Sequence, residues 1–365
     1  MQPPLAFDVG PVRVDPACVL APMEGITDRP FRSLIRGLGG CGLTVTEFVS
    51  SEALTRQVAK AWKMAEIAPD ERPVSIQIYG RDPERMADSA RYCQDLGADI
   101  VDLNLGCPSK AVTGGCAGSA LMRDEPLARR IFTAVRAAIT VPMTVKMRLG
   151  WDRACMNAPE VAHIAQEEGA GMITVHGRTR ADAYRGVADW RSIRAVRDRI
   201  ELPLLVNGDI LTVDDAVRAL EESGANGVMV GRGTMRDPWI LRQIADHFAG
   251  RPVCTPTLDE RRAVILHYFD MLASSSPIDP DRYALGKMKK VTGYFTRGLP
   301  YGARLRESVY AATTTRAACE AVTHYFELLA AHDLRDGFSR VFADPAQPFR
   351  EGDSRRLDRP ETVSP

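Results

Sequence analysis

The sequence predicts an α/β fold, a (β/α)8 TIM barrel followed by a small all-helical C-terminal domain. Three observations carry that expectation. From residue 18 to about residue 250 one pattern recurs, a short apolar run, a polar turn and then a helical segment. Strands that alternate with helices pair in parallel through right-handed crossovers. The apolar runs number eight, over 18–23, 43–49, 74–79, 99–105, 143–147, 172–176, 204–207 and 227–230. Eight such units in about 230 residues suit a closed barrel. An open doubly wound sheet is the competing architecture, but its early GxGxxG fingerprint is missing. Third, the two ends of the runs differ. The carboxyl ends carry Pro22, Met23, Glu24 and Gly25, then Glu47, Gln77, Asn104 with Cys107, Lys146 with Arg148, His176 with Arg178 and Arg180, Asn207-Gly208-Asp209 and Gly231-Arg232-Gly233. The amino ends are plain glycine, alanine and proline turns. Barrel active sites gather at the carboxyl ends of strands, so the asymmetry puts a site there.

Taken in order, residues 1–17 form an N-terminal segment and 18–250 the barrel. Within it, 83–96 reads as a helix because Met86, Ala90, Cys93 and Leu96 recur at helical spacing. Another helix spans 213–220, with Thr212 as N-cap and Asp214 and Asp215 in its first turn. The prolines of 251–256 mark a linker. Helical patterns follow over 258–273, 283–297, 302–312 and 316–331 without a strand between them, so 251–340 is expected to be a helical domain. The stretch 341–365 is rich in proline and charge and poor in apolar residues, and is expected to be a flexible tail.

The 365 residues carry 47 basic and 47 acidic side chains, so net charge announces no polyanionic partner and any basic surface must be local. The eight cysteines are scattered, with neither CxxC nor zinc spacing to histidines. That pattern suits reduced, cytoplasmic thiols and no metal. No basic stretch leads into an apolar core at the start, so no signal peptide is expected. No apolar run approaches the roughly 20 residues of a membrane span.

The strand over 99–105 runs into Gly106-Cys107-Pro108, which neither strand nor helix continues through, because Pro108 lacks an N–H and restricts Cys107. A thiol on a rigid turn beside the glycine-rich stretch 113–118 is a candidate reactive group; the bland reading is a small buried hydrophobe. Asn207, Gly208, Asp209, Gly231 and Arg232 lie after the last two strands, where barrels often bind phosphate through backbone N–H groups, with Arg232 adding charge. Their bland reading is ordinary turns. Lys146 needs an anionic partner in a barrel mouth. A reduced flavin supplies one, and pairing with Glu47 or Asp102 is the structural alternative. Gln77 can hydrogen-bond an amide-like ring edge or be a satisfied polar residue within the barrel. His176, leading into Arg178 and Arg180, is a candidate phosphate or substrate donor.

Between Arg282 and Arg316 stand eight basic residues and one acidic residue, Glu307, interleaved with Tyr283, Tyr294, Phe295, Tyr301 and Tyr310. Positive charge with aromatics suits nucleic acid, and Lys287, Lys289 and Lys290 are its densest cluster. The default places most of these aromatics in the core.

From about residue 19 to 331 the chain resembles the tRNA-dihydrouridine synthases, most of all the bacterial members. The likeness is carried by Ala21 to Asp28, Asn104-Leu105-Gly106-Cys107-Pro108-Ser109-Lys110, Gly118 to Met122, Lys146-Met147-Arg148, His176 to Arg180, Asn207-Gly208-Asp209 and Gly231-Arg232. The resemblance implies an FMN-containing barrel, a helical tRNA-binding domain and NADPH-dependent reduction of a uridine in tRNA. Hydride would pass from the flavin to C6 of uracil and a proton from Cys107 to C5. It implies flavin contacts from Pro22, Met23, Glu24, Gln77, Lys146, Asn207, Gly208, Asp209, Gly231 and Arg232, with His176 near the flavin. Asn104, Arg178 and Arg180 are candidates to hold the base, and the three lysines to hold tRNA. The implied partner is tRNA, met by a cytoplasmic monomer with no membrane. Two rivals remain: an FMN barrel acting on a small molecule, and a tRNA-binding protein without catalysis. The basic run argues against the first, and the presence of Cys107, Lys146 and His176 against the second.

Overall fold

The computed structural model describes residues 6–275 and 279–331. A hairpin comes first, β1 (Phe7–Val9) and β2 (Val12–Val14), antiparallel and turned at Gly10. The barrel follows with β3 (Cys18–Leu20), β4 (Leu43–Val45), β5 (Val49–Ser50), β6 (Val74–Tyr79), β7 (Ile100–Leu105), β8 (Met143–Arg148), β9 (Ala170–His176), β10 (Leu204–Asn207) and β11 (Gly227–Val230). All the barrel pairings are parallel. The order runs β4-β3-β11-β10-β9-β8-β7-β6, and β4 pairs with β6 to close the ring.

Two details depart from the sequence expectation. The run over 43–49 is broken into β4 and β5, both paired with β6. At the break the Thr46 hydroxyl oxygen accepts from the Gln77 N–H at 3.2 Å, replacing a backbone ladder bond. The N-terminal segment also holds the hairpin. Phe7, Val9 and Val14 pack in one cluster with Val19, Leu43, Ile100, Met172, Leu205 and Met229 from the barrel strands, so the hairpin stoppers the amino end. Burying apolar area at about 25 cal/mol per Å² is what holds a strand pair this short in place.

Several of the crossover helices start where side chains can take up their free N–H groups. Asp82 caps Pro83–Asp95, and Thr212 with Asp215 makes a capping box on Val213–Ser223. Beyond the barrel, the described residues hold four helices, Leu258–Ser274, Pro280–Phe295, Gly302–Ala311 and Thr315–Ala331. They share the barrel's outer core: Tyr268 packs edge-on against Phe31 and tilted against Phe295, each at 5.8 Å between ring centres. Three of the five aromatics in the basic stretch stand in solvent, contrary to the core default: Tyr283, Tyr301 and Tyr310 are 70%, 63% and 48% exposed. The stretch runs through the 16-residue helix Pro280–Phe295 and the 10-residue helix Gly302–Ala311, whose outer faces leave these rings in solvent. The expected tail over 341–365 and the end of the expected helical domain lie outside the described residues. No helix among the described residues is long and apolar enough to cross a membrane.

Candidate active site

Strand register brings the polar carboxyl ends together. Asn104 on β7 stands opposite Lys146 on β8, and His176 on β9 lies opposite both Arg148 and Asn207. Gln77 on β6 is opposite Asp102. Residues two apart on a strand share a face, so Asp102 and Asn104, Thr144 and Lys146 line the inside of the barrel near its mouth.

Cys107 sits in the turn after β7. Its backbone N–H donates to Asn104 Oδ1 at 2.9 Å, and its carbonyl accepts from the Ser119 hydroxyl at 2.8 Å. Arg148, buried, donates Nε to the Gly106 carbonyl at 2.8 Å and Nη1 to the carbonyls of Thr179 and Ala183. Backbone on both sides of the thiol is therefore held. The side chain packs with Val112 and Ala117 beside Phe48 and Tyr79. Burial pushes the Cys107 thiol up, and the Glu24 carboxylate adds to the shift against Arg148 and Lys146. The thiol keeps its proton at neutral pH.

Positive charge dominates the next sector. Lys146, half-buried, is pushed down to about 8 by burial and by Arg148, while Asp102 opposes the shift. It forms no hydrogen bond or ion pair with a described residue. His176 is buried, and its Nδ1 has no hydrogen-bond partner among the described residues. Burial and then Arg148, Lys146, Arg178 and Arg232 hold it well below the usual imidazole range, so it is neutral. Asp209, with a left-handed backbone at φ 54°, accepts from Arg178 at 2.5 and 3.0 Å and from Arg232 at 2.8 Å. Two guanidiniums thus share one carboxylate, leaving an excess of positive charge.

The remaining candidates are placed as follows. Asn207 donates to the Met229 carbonyl at 2.8 Å, tying β10 to β11. Gly208 has φ 112°, and a Cβ there would fall 3.1 Å from His176 Nε2 and 3.0 Å from Ala188, so only glycine fits. Met23 lies beside Gly231, where an added Cβ would be 3.4 Å from its sulfur. Pro22 is half-buried next to it, and Glu24 is exposed. Gln77 and Asn104 are joined side chain to side chain at 2.8 Å. Arg178 spends its guanidinium on Asp209 and on the carbonyls of Arg185 and Gly186, whereas Arg180 lies over the Trp151 ring at 4.5 Å with a buried, unpartnered Nε. The three lysines part company. Lys287 is ion-paired with Asp28, Lys290 donates to the Gly25 carbonyl at 3.4 Å, and Lys289, half-buried, has no such partner among the described residues.

Asp102 and Arg148 carry no part in the sequence-based list of site residues, although both anchor the Cys107 turn or its support. The signal for Asp102 was its spacing: two polar residues at positions 102 and 104 of an otherwise apolar strand must share the inner face.

Comparison with known proteins places the chain in a family. Residues 19–330 match the family described as dihydrouridine synthase (Dus). A protein of Rickettsia conorii named probable tRNA-dihydrouridine synthase is 38% identical over 323 residues, covering 87% of this chain and 96% of its own. A Xanthomonas axonopodis pv. citri protein named tRNA-dihydrouridine synthase B is 38% identical over 326 residues, covering 89% and 97%. Among solved structures, a 2-naphthoyl-CoA reductase complex superposes with a TM-score of 0.54 at 13% identity, over 69% of this chain and 52% of that one. At that identity the likeness is one of fold.

Proposed function

The chain belongs to the dihydrouridine synthase family, and from that membership we propose that it reduces the C5=C6 bond of a uridine in tRNA to 5,6-dihydrouridine with FMN and NADPH. The observation that carries this reading is a neutral thiol, Cys107, held by its backbone at a barrel mouth whose neighbouring sector is cationic.

The residues present fit an anionic flavin. The buried His176 Nδ1 lacks a partner among the described residues, four cationic groups bear on that ring, and Lys146 among them forms no hydrogen bond or ion pair with a described residue. Lys146 would meet the electron-rich edge of the ring, and Arg232 with the 207–209 loop would hold the phosphate. Pro22, Met23, Gly208 and Gly231 would wall the ring. When bound, the flavin supplies the hydride.

The protein's own part is proton delivery and placement. An enolate-like charge develops toward O4 of uracil as C6 is reduced, and C5 must then take a proton. Cys107 Sγ–H supplies it, because burial keeps the thiol protonated where a free cysteine, with a pKa of about 8.5, begins to ionise. Arg148 holds the turn so that the thiol does not drift. The apolar flank of Phe48 and Tyr79 keeps water from the thiol. A uridine reaches this mouth only outside its stack, so the base must be extruded from a tRNA loop, with Arg180 and Asn104 as candidate contacts. Tyr283, Tyr301 and Tyr310 in solvent, with Arg304 5.7 Å from the Tyr301 ring, form a surface suited to stacking and phosphate contact. The reading extends to a cytoplasmic protein that acts on tRNA as a monomer.

The test is nucleoside mass spectrometry of tRNA from cells lacking the protein. Loss of dihydrouridine at mapped positions, restored by the intact gene and not by a Cys107→Ala form, is the expected result. An unchanged dihydrouridine content would overturn the reading.

A further inference from the structure

Asn104, Gln77 and Asp102 form one hydrogen-bonded chain whose direction is set at both ends. Asn104 Oδ1 accepts from the backbone N–H groups of Gly106 at 3.0 Å and Cys107 at 2.9 Å. Those groups only donate, so Asn104 must turn its Nδ2 the other way, where it donates to Gln77 Oε1 at 2.8 Å. Gln77 then presents Nε2 to Asp102, whose Oδ2 accepts at 2.5 Å. The other carboxylate oxygen accepts from the Thr144 hydroxyl at 2.5 Å. A primary amide can sit either way round, but an ionised carboxylate accepts only. Reversing either amide would set donor against donor in a buried place, and the low local dielectric makes such a mismatch costly.

We propose that Asp102 is a positioning residue for Cys107. Its carboxylate orients Gln77, Gln77 orients Asn104, and Asn104 holds the turn that carries the thiol. A fully buried carboxylate is itself costly, and burial pushes the Asp102 carboxyl up; its two hydrogen bonds and the nearby Lys146 charge oppose that shift without cancelling it. The direction of the chain is fixed in any case by the two backbone N–H groups at the Asn104 end. The consequence for catalysis rests on the reading of Cys107 as proton donor. The orientation of the chain does not.

The test exploits the direction of the chain. Asn104→Asp keeps an acceptor for the two N–H groups but turns a second acceptor toward Gln77, which can answer only by facing its own oxygen to Asp102. Amide hydrogen exchange at Gly106 and Cys107 is expected to rise about tenfold or more, with exchange along Met143–Arg148 unchanged. Adding Asp102→Asn gives position 102 a donor for Gln77 Oε1, and the double variant is expected to regain protection and thermal stability. Adding Asp102→Leu instead removes the same charge without offering a donor, and protection should stay lost. If Asn104→Asp fails to fold while the double variant folds, the rescue is the same result read as stability. Unchanged exchange in Asn104→Asp, no recovery in the double variant, or equal recovery with Asp102→Leu would each overturn the proposal. In the otherwise native chain, Asp102→Leu should lower kcat for tRNA reduction while KM for tRNA holds. Lost protection with an unaltered kcat would keep the positioning role and overturn the proton-donor role of Cys107.

Discussion

Lys287, on the helix Pro280–Phe295, is ion-paired with Asp28, the residue that caps the helix Arg29–Gly37. One carboxylate serves both, taking the Phe31 N–H on Oδ1 at 3.2 Å and the lysine on Oδ2. Glu47 and Glu24 bear on the same place, and Lys290 reaches the Gly25 carbonyl from one turn along. Lysines that read in sequence as an RNA-binding cluster thus face the barrel mouth and join it to the helices. Replacing Lys287 with methionine removes a charge-assisted hydrogen bond at a largely buried junction. A loss of about 1.5–3 kcal/mol is expected, seen as a fall in Tm, and Asp28→Asn should cause a similar fall that does not add to the first. Additive losses would mean that the pair does not act as a unit.

Cys107→Ser should keep the fold and lose turnover with tRNA by about 10²–10⁴-fold, because a hydroxyl is a far weaker acid than the thiol. Flavin reduction by NADPH, followed at the flavin absorbance without tRNA, should proceed as in the native protein. Near-native tRNA reduction by the serine form would make Cys107 a packing residue.

How much of this site could be read beforehand follows from what each residue depends on. The barrel strands were legible because strands buried on both faces are plain apolar runs, and Cys107 was legible because Gly106 and Pro108 bracket it. The hairpin was not, since Phe7–Val9 and Val12–Val14 alternate apolar and charged residues over only three positions each, too few to stand out as a strand period. Arg178 read as a substrate contact from its place at a strand end. Only tertiary structure brings Asp209 to it across a separation of 31 residues. The same holds for Asn104, whose amide looks free until the turn folds back onto it.

The depressed Lys146 ammonium predicts a pH dependence for anion binding. Its folded value is about 8 against an ordinary 10.5. An anionic ligand favours the charged form, so below pH 8 the ammonium is ready, and above it binding must also take up a proton. Affinity for FMN should therefore fall as pH rises through 8, approaching tenfold per pH unit. The ligand-free protein shows the opposite trend: between about 8 and 10.5 the unfolded chain binds the proton that the folded chain has lost, so this group's contribution to stability rises with pH. Fluorescence titration of FMN at pH 7 and pH 9 checks the first statement. In Lys146→Met the pH dependence should vanish along with part of the affinity. A persisting tenfold drop would assign the effect to another group.

Arg232 and Arg178 share Asp209, and Arg178 also donates to the backbone carbonyls of Arg185 and Gly186. Arg232→Ala is expected to weaken FMN retention on dialysis while Tm changes little, because Asp209 keeps its two bonds to Arg178. Arg178→Ala should cost stability first, since it frees the Arg185 and Gly186 carbonyls together and takes two donors from Asp209. Equal loss of Tm in both variants would remove the phosphate role from Arg232.

The last prediction separates the lysines that join the barrel to the helices from those that meet RNA. Lys289 is half-buried and has no ion-pair partner among the described residues, and Tyr283 and Tyr301 on the same group of helices stand in solvent. If tRNA lies across this surface, Lys289→Glu should weaken tRNA binding and reduce the slope of log K against log salt by roughly 0.7–0.9, the release of one phosphate's counterions. Tyr301→Ala should weaken binding by about 1–3 kcal/mol, the worth of one stacked base, with the slope unchanged, because stacking releases no counterion. Lys287→Met should lower Tm and leave the slope alone, since its charge is already committed to Asp28. FMN reduction by NADPH without tRNA should be native in the Lys289 and Tyr301 variants. A salt slope that falls with Lys287→Met but not with Lys289→Glu would mean that RNA displaces Asp28 from the lysine, and the junction itself would be the tRNA contact.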